Sequence, residues 1–216
     1  MKKLMAIILT LALVLTFTAC NNDSGSGNTG GGNRDRGNTG GENSSSSAGV
    51  GDIIKFGELE WRVLEVQDGM ALVISEYLLE YQQYHADYDD ATWEHSSLRA
   101  YLNGEFYNSF SSAEQGRILE TTVINNDNPE YGTPGGNNTT DNIFLLSIDE
   151  AQTYFTDDSS RIAYFADGDV HFWWLRSPGY LSDYAANVNG DGYVIVDGIE
   201  VERGFVGVRP ALWLNL

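Results

Sequence analysis

Three histidines, one cysteine and 31 acidic side chains are the groups in this 216-residue chain suited to metal, nucleophilic or acid–base chemistry. His85, His95 and His171 fit no H-E-x-x-H spacing; Glu94 precedes His95, but no second histidine follows at the fourth position. There is no G-x-S-x-G nucleophile elbow and no Gly-Lys-Ser/Thr phosphate loop. Adjacent acids such as Asp89 and Asp90, or Asp157 and Asp158, read as solvated surface in so acidic a chain. No catalytic residues are assigned. A hydrolase working through carboxylates such as Asp127 or Asp141 remains the enzymatic alternative.

Hard-cation chemistry has two candidates. "NVNGDGYVIVDG" (187–198) imitates a calcium loop but fails it: position one is Asn187, and position twelve, where a bidentate carboxylate belongs, is Gly198. It reads instead as a hairpin with "NGDG" at the turn. The 125–142 stretch supplies more oxygen, from Asn125, Asp127, Asn128, Asn137 and Asp141. Calcium is the one cofactor these residues suggest. Set against it, Asn and Asp also close turns without any metal.

Aromatic residues are the third resource. Trp61, Trp173, Trp174 and Trp213 fall on expected strands and should pack. Tyr131, Tyr180 and Tyr184 fall in polar loops, where a ring suits sugar stacking or protein contact.

These residues need a scaffold, and its elements are readable. Lys2 and Lys3, the apolar run 4–17 and "TFTAC" have the layout of an export signal. Residues 1–20 are therefore expected to be a leader. Cys20, the only cysteine, stands at the lipobox position and is expected to carry a lipid at the outer face of a bacterial membrane. Residues 21–49 are Gly/Ser/Asn-rich and read as a flexible tether averaging roughly 30 Å end to end. Residues 50–216 form one domain. "ELEWRVLEVQDGMALVISEYLL" alternates, with Trp61, Val63 and Glu65 on one face and "QDG" as the turn of a hairpin. Leu98, Tyr101, Leu102 and Phe106 share one helix face. Ser111 with Glu114, and Ser147 with Glu150, are capping-box pairs; the first should open a helix running through Leu119, the second follows an apolar strand, "IFLLS". "WWLRS", "YAANV", "YVIVDGIEV" and "VGVRPALWL" read as strands. Two to three short helices in the middle, flanked by strands, make this α+β.

Charge limits the partners. The formal net charge is −19, and removal of Lys2 and Lys3 takes it to −21. Such a field repels nucleic acid and anionic lipid, so membrane contact is expected through the Cys20 lipid alone.

The order "FGELEWRVLEV", "ALVISEYLL", "LRAYLNGEFYNSFS", "TTVINNDNPEYGTPGGNNTTDNIFLLSIDE", "WWLRSPG", "YAANVNGDGYVIVDG", "GVRPALWLNL" resembles the bacterial domain of unknown function 6273 family over 51–216. The tryptophan strand and "GVRPAL" are more distantly similar to the C-type-lectin-like fold, which includes the formylglycine-generating enzyme (sulfatase-modifying factor) group. That group's chemistry needs active-site cysteines, which residues 50–216 lack. The resemblance implies a C-type-lectin-like domain with an N-terminal β-hairpin and C-terminal twisted antiparallel strands. It makes Trp173 and Trp174 an inner strand, and Arg176 and Arg209 internal, hydrogen-bonded cations. It leaves Tyr180, Asp183, Tyr184, Asn187 and Asn189 as the display surface, joined by Tyr193 and Glu200. The expected role is binding of an extracellular glycan, cell-wall polymer or protein; an assembly module without a small ligand is the further alternative.

Overall fold

The computed structural model describes residues 48–87 and 89–216. The leader, Cys20 and the tether up to residue 47 lie outside the described residues.

Strands β1 (Ile53–Phe56), β2 (Leu59–Gln67) and β3 (Met70–Ser75) form an antiparallel meander. Asp68 and Gly69 turn β2 into β3 with φ of 51° and 79°, the paired positive values that suit a two-residue hairpin turn. The expected alternation breaks midway. A bulge between Val63 and Glu65 puts Val63 and Leu64 both in the core, so the faces read at 61–66 exchange beyond Val63. Strand β12 (Ala211–Asn215) pairs with β3, and β4 (Ile118–Leu119) pairs with β12. The five-stranded sheet has the order β1-β2-β3-β12-β4, so the last strand of the chain closes on the first hairpin.

Helix α1 (Ser97–Tyr101) continues through a π-helical turn (Leu102–Phe106) into α2 (Tyr107–Ser109). Leu98 and Leu102 are fully buried, as their spacing predicts. Both capping boxes form, at Ser111–Glu114 and Ser147–Glu150. The helix after the first, α3 (Ser112–Gln115), is shorter than expected. It stops at Gly116, and Ile118 and Leu119 become β4, because pairing with Leu214 and Trp213 satisfies their backbone better than a fraying helix end. "IFLLS" is also not a strand. It is buried, with an isolated bridge between Phe144 and Ala211, and it leads into α4 (Ile148–Tyr154).

The two-stranded pair β5 (Thr121–Val123) and β6 (Thr139–Asp141) clips together the ends of the loop between them. Helix α5 (Asp158–Arg161) and the short pair β7 (Ala163–Tyr164) and β8 (Val170–His171) follow α4. Strands β9 (Trp173–Pro178), β10 (Tyr184–Val188) and β11 (Val194–Glu200) complete a second antiparallel sheet of order β11-β10-β9. "VGVRP" does not join β12: Arg209 lies in an irregular segment just before it.

Trp61, Trp93, Trp173, Trp174 and Tyr84 are completely buried and join the sheets into one core. Trp213, on β12, is half-buried and packs against this core. The chain is α+β, built mainly on antiparallel sheets. Its helices are few and short: the continuous α1–α2 run, α3, α4 and α5; among the described residues no helix is long and apolar enough to cross a membrane.

Candidate functional site

The stretch that follows β9 is held by one buried side chain. Asn128 donates from Nδ2 to the carbonyls of Pro178 at 2.8 Å and Val196 at 2.9 Å. Its Oδ1 accepts the backbone N–H groups of Glu130 and Tyr131 at 3.0 and 3.1 Å. Thr133 Oγ1 donates to the Tyr180 carbonyl at 3.0 Å, and Tyr180 N–H to Asp197 O at 2.9 Å. A single amide thus fastens the 125–142 loop to the Ser-Pro-Gly turn and to β11. This decides Asn128's role. The sequence offered it as a calcium ligand; the structure makes it a clamp.

The clamp gathers three of the expected residues. The Tyr131 and Tyr180 rings meet edge to face at 6.1 Å, and Tyr180 and Tyr184 do so at 4.6 Å. Tyr131 is 52% and Tyr180 41% exposed. Gly179 allows this approach: a Cβ there would lie 2.5 Å from Asp197 O and 2.6 Å from Tyr184 Cβ. Tyr184 faces Glu200 across the β10–β11 register. The Glu200 carboxylate accepts from Arg203 Nη2 at 3.1 Å and Nε at 3.2 Å. That pairing, helped by the Tyr184 hydroxyl, holds its pKa down to about 2. The neighbouring Tyr180 hydroxyl, then desolvation, then Glu200 raise the Tyr184 phenol well above its usual range. The result is a corner of three tyrosine rings, two of them exposed, beside a carboxylate–guanidinium pair. It can stack on a ring and both accept and donate hydrogen bonds.

Residues 68–216 match a family described as Domain of unknown function (DUF6273). The chain belongs to this family. No curated protein and no solved structure matches it. The match begins at the β2–β3 turn, so β1 and β2 lie N-terminal to it although they complete the same sheet. Within the DUF6273 region fall the whole tyrosine corner and the buried Arg161, Arg176 and Arg209.

Other expected site residues lie elsewhere. Asn187 is buried within β10, with neither amide atom hydrogen-bonded, and is not on a display surface. Asn189 Oδ1 accepts the N–H groups of Asp191 and Tyr193, so it closes the hairpin turn. Tyr193 is exposed at that turn, at the opposite end of β10 from Tyr184. Asp183 is half-buried, and its carbonyl accepts from Val201 N–H.

The calcium candidates are divided among other tasks as well. Asp141 is fully buried and accepts from Arg99 Nε at 2.6 Å, Trp93 Nε1 at 2.8 Å and Thr139 Oγ1 at 2.7 Å. Asp127 Oδ1 accepts from Gly135 N–H; Asn125 bonds the Asn137 carbonyl, and Asn137 bonds Glu94. Among the described residues no three His, Cys, Asp or Glu side chains group at metal-ligand spacing.

Arg176 is buried as the resemblance implies. It pairs with Glu150, with Nη2 to Oε1 at 2.7 Å, and donates to the Leu145 and Ile124 carbonyls. Those carbonyls belong to irregular segments, so the guanidinium replaces a missing strand partner. Arg209 differs: it is buried with no carboxylate partner, and its Nε donates to Ser75 O at 3.1 Å. Sequence reasoning missed Asn128 as a clamp and Arg203 as the partner of Glu200. The second was legible as an i,i+3 pair in "EVER"; the first needs contacts across 50 residues.

Proposed function

We propose that this chain is an exported, lipid-anchored surface protein whose lectin-like head binds an extracellular glycan at the Tyr131–Tyr180–Tyr184 corner. What carries the reading is the convergence of three tyrosine rings from two separated segments beside the Glu200–Arg203 pair. Two exposed rings, Tyr131 and Tyr180, with hydrogen-bonding groups beside them, suit a sugar's apolar face and hydroxyls. The α+β architecture on antiparallel sheets supports the lectin-like fold to that level. Cys20 at a lipobox supports the anchor, and metabolic fatty-acid labelling lost in Cys20→Ser tests it. The rings themselves need no metal, so calcium is not part of the mechanism. A carboxylate hydrolase gains nothing from Asp141, which is already hydrogen-bonded on both oxygens.

The test is retention of the full chain on arrayed glycans and cell-wall fragments, with calcium and with a chelator. Retention lost in Tyr180→Ala and indifferent to the chelator supports the tyrosine corner. Retention of Tyr180→Ala equal to the parent overturns it. Absence of any glycan binding transfers the corner to a protein partner.

A further inference from the structure

Strand β2, the segment just after β3, and helices α4 and α5 line an open cleft of about 440 Å³ that shares no residue with the tyrosine corner. Arg209 lines it while remaining only 3% exposed. Its guanidinium carbon lies 5.2 Å from the ring centroids of both Phe155 and Trp173. Its Nε reaches Ser75 O, but Nη1 has no hydrogen-bond partner among the described residues. Glu76, the acid of the cleft, is already held by Arg62 through Nε at 2.9 Å and Nη2 at 2.6 Å. Among the described residues Arg209 is therefore a buried cation with no carboxylate in direct contact; Glu76 acts on it only through space. Burial lowers its pKa to about 10, which leaves it charged at neutral pH. Ring faces attract a cation, but they do not replace the missing hydrogen-bond acceptor.

The mouth of the cleft complements this floor. Tyr77 and Tyr164 line it and are 40% and 44% exposed, with Ser159 and Ser160 beside them. A flat, planar donor below and two open rings above suit a ligand with a planar acceptor at one end and a stackable body at the other. The chain's net charge of −19 disfavours polyanions and favours a ligand of low negative charge.

We propose that the Arg209 cleft binds the carboxylate of a small monoanionic ligand, whose ring packs against Tyr77 and Tyr164. Such a carboxylate can come from an acidic sugar or an aromatic acid. Glucuronate and phenylacetate represent the two sources, with glucose and inorganic phosphate as controls.

Calorimetric titration of the full chain tests it. At least one carboxylate should bind saturably and raise the unfolding temperature; glucose should not bind, and phosphate should bind about tenfold or more weaker, because it lacks a stacking body. Arg209→Gln should abolish binding. Because that variant also removes a core contact, Tyr164→Ala, on the exposed rim, provides the second reading: an unchanged unfolding temperature without ligand, and affinity reduced about tenfold. Tyr180→Ala should leave carboxylate binding intact, which separates this site from the glycan corner. The proposal is overturned if neither carboxylate binds, if phosphate binds as tightly as the carboxylate, or if Tyr164→Ala retains parental affinity.

Discussion

Arg99 Nε donates to Asp141 Oδ1 at 2.6 Å, and this contact joins the first helix to the end of β6. Asp141 is completely buried and accepts two further donors, Trp93 Nε1 and Thr139 Oγ1. An amide at this position would turn one acceptor into a donor facing another donor. Asp141→Asn should therefore destabilise the fold by about 2–3 kcal/mol, measured by denaturant unfolding. Calcium in place of chelator should leave the parent's unfolding temperature unchanged. A calcium-dependent rise that Asp141→Asn removes would restore the metal reading.

Arg176 and Glu150 form the second internal pair. Arg176 is buried and also closes the Leu145 and Ile124 carbonyls, while Glu150 is half-buried and completes the capping box of α4. Arg176→Ala should cost about 3 kcal/mol or more, since it leaves Glu150 Oε1 and two carbonyls without their donor and the carboxylate without its counter-charge. A double-mutant cycle with Glu150→Ala should show strong coupling between the two side chains. Additive losses would mean that the carbonyl contacts dominate.

Local chemistry was readable from the sequence, and long-range placement was not. The capping boxes at Ser111 and Ser147 and the Asp68-Gly69 turn follow from spacing or local backbone preference, while the burial of both Trp173 and Trp174 was implied by the resemblance. The bulge after Val63 was illegible because it depends on the register against β3. Asn187 falls on the expected strand "YAANV", and only the packing of that strand between β9 and β11 decides that it is buried. The tyrosine corner was legible as three rings in polar segments. That they touch depends on Asn128 reaching Pro178 and Val196, a contact no periodicity announces. Arg209 could be read as internal, but its lack of an anionic partner is a property of the packed core alone.

Gly179 sets the distance between Tyr180 and its neighbours. A methyl group in place of its hydrogen would collide with the Asp197 carbonyl at 2.5 Å, which belongs to backbone that cannot swing aside. Gly179→Ala should therefore lower stability by about 1–3 kcal/mol and weaken glycan retention together. Gly104, in the helical turn after α1, has nothing within 4 Å. Gly104→Ala should raise stability by up to about 1 kcal/mol and leave retention unchanged. Retention unaffected by Gly179→Ala would detach the glycan site from this turn.

Glu200 links the tyrosine corner to pH. Arg203 is the main cause of its low pKa of about 2, with the Tyr184 hydroxyl adding to it. A carboxylate depressed in the folded state contributes stability that is fully present above its ordinary pKa of 4.5 and is lost as pH falls toward about 2. Acidification through that window should loosen the corner, and glycan retention should fall with the protonation of Glu200. Arg203→Ala should move the Glu200 titration upward toward the ordinary carboxylate value, as followed by carboxyl carbon NMR. The loss of retention should then begin at a higher pH. If Glu200 titrates upward while the pH profile of retention stays fixed, the ion pair only braces the hairpin and the tyrosine rings bind without it.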